Sequence, residues 1–411
     1  MHQFLSEMIF MSEEKLVPKL RFLEFTKVWK STKIGEIADI VGGGTPRTEV
    51  EEYWDGEIKW FTPSEIGKTK YIFDSKRHIT DKGLKNSSAK LLPKDTILLS
   101  SRATVGEISI ALTECSTNQG FQSLITKNNV DNDFIYYLIS TIKNEFLRRS
   151  SGSTFLEISK NEIKRIPINI PELSEQNKIS NLFSAIDNKI EMLEKKHQYY
   201  QDFKKYLMQR IFSSQDDKLR FDFNDEWKNI PFKKLLKEVN EKTTVNNQHE
   251  ILSSTKEGIF TQKDYFADRN VASKDNTGYK VLRKNQIVLS PQNLWMGNIN
   301  VNTEFDIGIV SPSYKIYETT DLIDINYFKH IVKLPRLIYE YTCASEQGAS
   351  IVRRNLNKQL FNEITIKVPS LNEQKKIGNL FDTCDEKIKN IDKNIQDMKE
   401  FKKGLLQQMF V

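Results

Sequence analysis

Cysteine is scarce: Cys115, Cys343 and Cys384 are the only three in 411 residues, far apart and without a C-x-x-C pair. That excludes a disulfide framework and a thiolate zinc site, and a reducing cytoplasm is the expected compartment. The five histidines, His2, His78, His197, His249 and His330, have no metal-ligand spacing, so no metal is expected. No apolar run approaches the ~18–20 residues of a membrane span. The opening "MHQFLSEMIF" lacks a basic segment and is too short for a signal peptide, and Met11 is a possible second start. Excess charge is small, +6 with a pI near 8.8, which permits a nucleic-acid partner without demanding one.

Catalytic signatures are missing as well. "DIVGGGTPRT" (39–48) invites a phosphate-loop reading, but Gly44 is followed by Thr45-Pro46-Arg47, with no spaced third glycine and no lysine. A tight turn after a strand fits better. No N-P-P-[YF] or D-P-P-[YF] of an amino-methyltransferase occurs. Glu57-Ile58-Lys59 supplies the E-x-K half of a nuclease site without the preceding Pro-Asp, and Asp385-Glu386-Lys387 falls on a helix surface.

What the chain does have is a repeat. Residues 166–212 return at 364–410 without a gap, with 22 identities in 47 positions, which chance does not produce. "KLRFLEFTKVW" (19–29) likewise returns as "KLRFDFNDEW" (218–227), and "LLPKDTILLSSRATVGEISIA" (91–111) parallels "VLRKNQIVLSPQNLWMGNINV" (281–301). In the second copy the glycine turn is replaced by "EVNEKTTVNN" (238–247), so the glycines are not chemistry shared by the unit.

Each repeated tail reads as a long helix. Pro171 and Pro369 close a strand-like run, Ser174 and Asn372 stand as N-caps, and Glu175 and Glu373 fall in the first turn. Heptad lines through Phe183, Ile186, Ile190, Leu193 and His197, and through Phe381, Cys384, Ile388, Ile391 and Met398, ask for a partner helix. With one stripe per copy, the simplest closure is an antiparallel pair, each helix of about 37 residues being roughly 55 Å long. The fronts carry short β-rich runs and one amphipathic helix each, starting near Asp133 (Phe134, Leu138, Ile142, Phe146) and near Asn326, the latter broken at Pro335. The fold class is α+β: two mixed α/β domains alternating with two long repeated helices in a pseudo-twofold repeat. The expected boundaries are a tail (1–18), a first front (19–170), a helix and linker (171–217), a second front (218–369) and a final helix (370–411).

"GGGTP", "IKWFTPSEI" (58–66), "ILLSSRATVG" (97–106), "STNQGFQSL" (116–124), "EISKNEIKRIPINIP" and the "P-x-L-x-EQ" helix start resemble, in that order, the DNA-specificity subunits of type I restriction–modification enzymes. The resemblance implies two target-recognition domains, each reading half of a bipartite double-stranded DNA site. It also implies helices that set the spacing and dock two methyltransferase subunits, with motor/nuclease subunits joining. S-adenosylmethionine, ATP and Mg are then expected on those partners, and no cofactor or catalysis on this chain. Candidate DNA contacts are Lys68, Lys70, Arg77, Arg102, Thr104 and Gly152-Ser153-Thr154 in the first front, and Gln292, Asn293, Arg353 and Arg354 in the second. For each, an ordinary surface or capping role stands beside the functional one. The competing reading is a duplicated coiled-coil scaffold without DNA binding.

Overall fold

A computed structural model describes residues 8–10, 16–152, 156–212, 219–266, 273–347 and 354–411. The chain divides into two compact units: Met1–Lys196 with Ile391–Val411, and His197–Asn390. Two 39-residue helices, Leu173–Ile211 and Leu371–Met409, are each divided between the two units.

In the first unit the chain enters as Lys30–Lys33 and leaves as Pro167–Ile170, and these strands pair antiparallel. The front is therefore a closed loop hung from the foot of the long helix. Between them lies a five-stranded sheet ordered Ala38–Gly42, Gln122–Thr126, Ile97–Leu99, Ile108–Ala111, Tyr71–Ile72. A three-stranded sheet, Cys115–Thr117, Trp54–Phe61, Arg77–Ile79, stands beside it. The second unit repeats the closure with Lys228–Pro231 against Thr365–Val368, around a four-stranded sheet.

The repeated sequence words become one repeated junction. Glu175 is 1% exposed and accepts two hydrogen bonds from Arg21, both 2.8 Å, and one from Trp29 Nε1 at 3.2 Å. Glu373, fully buried, takes Arg220 at 2.9 and 2.7 Å and Trp227 Nε1 at 3.1 Å. The adjoining glutamine serves the other side: Gln176 Oε1 accepts Asp131 N–H, and Gln374 Oε1 accepts Asp324 N–H. Those aspartates cap the front helices, Asn132–Thr141 and Ile325–Ile331. The "EQ" pair thus fastens both the start of a front and its main helix to the long helix.

Three boundaries differ from the sequence reading. Each long helix begins two residues earlier than a Ser174 or Asn372 cap would place it, because the Glu172 and Ser370 carbonyls already accept the N–H groups of Gln176 and Gln374. The first front helix breaks at Ile142 before resuming at Lys143–Arg148, whereas its counterpart stops at Ile331 and restarts at Pro335, as proline requires.

Within the first unit the two helices run antiparallel: Asp187 pairs with Lys402 at 2.6 Å and Glu194 with Lys399 at 2.7 Å. Phe183, Ile186 and Ile190 are buried in one cluster with Leu405 and Met409, Met398 packing at its edge, while Leu193 is only half-buried. Ile391 is buried. Phe410 fits between Trp29, Phe134 and Phe183, with centroids at 6.4, 5.3 and 5.9 Å. In the second unit Lys204 pairs with Asp385, Phe381 is buried with Leu207 and Ile211, Ile388 is half-buried, and Phe212 meets Trp227, Tyr327 and Phe381.

The seam-facing position of the front helix differs between copies. Tyr137 donates to Asp187 at 2.7 Å, whereas His330, 8% exposed, meets Asp382 at 2.7 Å with Asp385, Lys204 and Lys329 nearby. Burial lowers the His330 pKa below its ordinary 6.5 even though Asp382 pulls it up. The unfolded chain therefore binds the proton first, and stability falls as pH drops below about 6.5. Replacing His330 by Tyr should flatten the unfolding midpoint between pH 7 and 5; an unchanged slope would remove His330 as its source.

The buried junction has a sharper test. Glu175→Ala leaves the Arg21 guanidinium, 2% exposed, without its carboxylate, and should cost about 3–5 kcal/mol in denaturant unfolding. Replacing both, Arg21→Met with Glu175→Leu, should recover most of that loss.

Candidate nucleic-acid interface

The loop 100–106 joins two buried strands of the five-stranded sheet, Ile97–Leu99 and Ile108–Ala111. Its turn is tightly drawn: Ser100 N–H donates to the Glu107 carbonyl at 2.9 Å, Gly106 N–H to the Ser100 carbonyl at 3.0 Å, and Thr104 N–H to the Arg102 carbonyl at 2.8 Å. Ala103 sits at φ +64° and Gly106 at φ +86°. A left-handed alanine costs roughly 1–2 kcal/mol, which this bonding network holds in place. The turn projects Arg102 and Thr104 into solvent. Arg102 is bridged to Glu157 at 2.6 Å, so its fork is oriented and neutralised within the protein. Beside it Gly152 is exposed at φ +131°, next to the Ser151–Glu157 bridge. Ser153 and Thr154 lie outside the described residues.

The second unit builds the same corner from different residues. After Ile287–Leu289 the chain turns through Gln292 and Asn293 into the short helix Leu294–Met296, ended by Gly297 at φ +85°. Arg354 N–H donates to the Gln292 carbonyl at 3.2 Å, and its guanidinium lies 4.5 Å from the Trp295 ring centre. Gln292 is exposed, whereas Asn293 is half-buried and its carbonyl holds the turn through the N–H of Met296. Arg353 lies outside the described residues. Both corners sit where the last front segment returns to its sheet, which the sequence signalled through the aligned "SSRATVG" and "SPQNLWMG".

Lys68 and Arg77 are exposed, and neither makes an ion pair among the described residues. Lys70, expected at the surface, points inward instead. Its ammonium meets Asp133 at 2.9 Å, Ser184 at 2.9 Å and the Tyr137 hydroxyl at 3.1 Å. Burial lowers its pKa, with Asp133 opposing the shift. It tethers the front to the long helix, and a cation so surrounded is poorly placed to meet a phosphate.

The three glycines resolve into close packing. Gly44 N–H donates to the Thr117 carbonyl at 2.8 Å, and a Cβ on Gly43 would fall 2.0 Å from the Asn118 carbonyl oxygen. On Gly44 it would fall 2.4 Å from the Ala89 nitrogen. Space, rather than φ, excludes any side chain, and the turn seats Trp60, whose Nε1 donates to the Gly44 carbonyl at 2.9 Å. Sequence reasoning missed the aromatic residues around this turn, because tryptophans in a β-rich run read as ordinary core.

Residues 26–199 match the family described as "Type I restriction modification DNA specificity domain". The MjaIX specificity subunit of Methanocaldococcus jannaschii is 38% identical over 212 residues, covering 50% of this chain and 49% of that protein. The EcoR124I/EcoR124II specificity subunit of Escherichia coli is 27% identical over 201 residues, covering 44% and 49%. The chain thus spans about half the length of these curated relatives. A crystal structure of the S subunit of a type I restriction–modification system from M. genitalium shares the fold, with a TM-score of 0.60 at 19% identity, covering 96% of this chain and 99% of that one.

If the corner at 100–106 touches the DNA backbone, Arg102→Ala weakens binding evenly across sequences and reduces the salt slope by about one. Glu157→Gln, which releases the Arg102 fork, should act in the opposite direction. A retardation series at several salt concentrations measures both.

Proposed function

We propose that this chain is a type I restriction–modification DNA-specificity subunit, the non-catalytic reader of a multisubunit DNA methyltransferase and endonuclease. Each front reads one half of a bipartite, asymmetric double-stranded site. The helix pair carries the fronts and docks two methyltransferase subunits, to which motor/nuclease subunits join. S-adenosylmethionine, ATP and Mg belong to those partners, and the assembly works in the cytoplasm. One observation carries the reading: two dissimilar fronts are mounted by an identical Arg–Glu–Trp junction on two copies of the same helix.

The physics suits such a task. Internal pseudo-symmetry lets one chain address two half-sites as a dimer does, while unlike fronts allow the halves to differ in sequence. A net charge of +6 is small for an isolated duplex binder, so partner subunits supply part of the phosphate contacts.

Two measurements test this. Duplex affinity of the chain with its methyltransferase partners should fall between about 50 and 200 mM salt, roughly tenfold for every two phosphates engaged. An affinity independent of salt would favour a scaffold without a DNA role. Replacing residues 218–363 with the equivalent front of a relative should change one half of the methylated motif and leave the other intact. A change in both halves would refute the two-reader assignment.

A further inference from the structure

The segment 73–78 of the first unit, an exposed loop with a buried Ser75 that runs into the strand Arg77–Ile79, is held still by two of the sequence's most distinctive motifs. From "IKWFTPSEI", the Glu65 carboxylate accepts the N–H groups of Thr62 at 2.8 Å and Lys76 at 2.7 Å, tying the loop to the end of Trp54–Phe61. Ser75 Oγ accepts Trp60 N–H at 2.9 Å and donates to the Arg77 carbonyl at 2.7 Å. His78 closes onto Asp74 at 2.8 Å. From "GGGTP", Gly44 holds Trp60, and Trp60 stands edge-on to Trp54 at 5.1 Å and 86°. Trp54 is itself fixed by its Nε1 on the Arg47 carbonyl at 3.1 Å.

Arg77 lies on this support, its guanidinium 3.5 Å from the Trp54 ring centre. It is exposed, and no carboxylate is paired with it among the described residues. That sets it apart from Arg102, whose charge is answered by Glu157. Next to it Phe73 is 64% exposed, with Lys59 Nζ 4.9 Å from its ring centre. Stacking on a buried indole removes the rotamer freedom that a surface arginine loses on binding, and leaves the outer nitrogens of the planar fork free. An immobilised, unneutralised fork is suited to a bidentate acceptor pair. In duplex DNA the pair that discriminates between bases is guanine O6 and N7 in the major groove.

Resting on the reading of the chain as a DNA-specificity subunit, we propose that the 73–78 segment is a sequence-determining contact of the first unit, with Arg77 on its Trp54 support reading a guanine edge in one half-site. The glycine turn has no counterpart in the second copy's "EVNEKTTVNN" stretch, and no tryptophan occurs there between Trp227 and Trp295 to match the Trp54–Trp60 pair, so the contact belongs to one half-site only.

The test uses the full chain assembled with its methyltransferase subunits, mapping methylated motifs for the parent, Arg77→Ala and Arg77→Lys. Arg77 is exposed, so both variants should melt with the parent, and Arg77→Lys keeps the charge where Arg77→Ala does not. The expected result is at least a tenfold loss of discrimination at a single guanine position of one half-site in both variants, the other half-site being unchanged. A phosphate contact would instead leave the motif intact, with Arg77→Lys near the parent and Arg77→Ala uniformly weaker, and that outcome overturns the proposal. So does a motif that neither variant alters. A parent complex without any sequence preference would overturn the reading of the chain itself, and this assignment with it.

Discussion

A buried carboxylate at the foot of each long helix, answered by one arginine and one tryptophan from the start of the front, is the constraint on which the rest depends. Glu175 with Arg21 and Trp29, and Glu373 with Arg220 and Trp227, are the same object built twice. Removing the partner of a buried charge is far more costly than never burying it, so such a junction tolerates little change while it lasts. Its oxygens accept a forked guanidinium and an indole N–H, which fixes direction as well as contact. The neighbouring glutamine adds the front helix to the same point through its Asp131 or Asp324 cap. Around this junction a front needs only to begin and end correctly, as the strand pairs Lys30–Lys33 with Pro167–Ile170 and Lys228–Pro231 with Thr365–Val368 show.

Freed from holding the frame, the interiors of the fronts diverge. The first carries a glycine turn packed against Thr117 and Ala89, with a tryptophan pair behind it. In the second a buried polar network takes a comparable supporting role, Asn298 and Asn300 both hydrogen-bonding to Ser254. The corner loops diverge too, an arginine bridged to glutamate in one and an arginine stacked on tryptophan in the other. Divergent surfaces on an invariant mount are what a reader of two unlike half-sites requires.

Much of this architecture was legible because it is repeated. Comparing the copies exposed the long helices, the arginine and tryptophan words, and the absence of a shared phosphate loop. Periodicity placed Phe183, Ile186, Ile190, Phe381 and Ile391 in buried positions. It over-reached at Leu193, Ile388 and Met398, which are half-buried, because a heptad stripe says which side faces a partner and not how completely it is covered. Lys70 illustrates a second limit: a lysine in a polar loop gives no sign of direction, and only the fold brings Asp133, Tyr137 and Ser184 around it. The Arg77–Trp54 stack was hidden for a similar reason, since residues 23 apart meet only through strand pairing.

The central claim is that one chain holds two separate readers on a common mount. Selection of bound duplexes from a randomised pool by the chain assembled with the methyltransferase subunits proposed for it measures this most directly. The account predicts two short specified stretches of unlike sequence, separated by a gap of fixed length in which every base is tolerated. A single contiguous site, or a palindrome in which both halves are read identically, would contradict it.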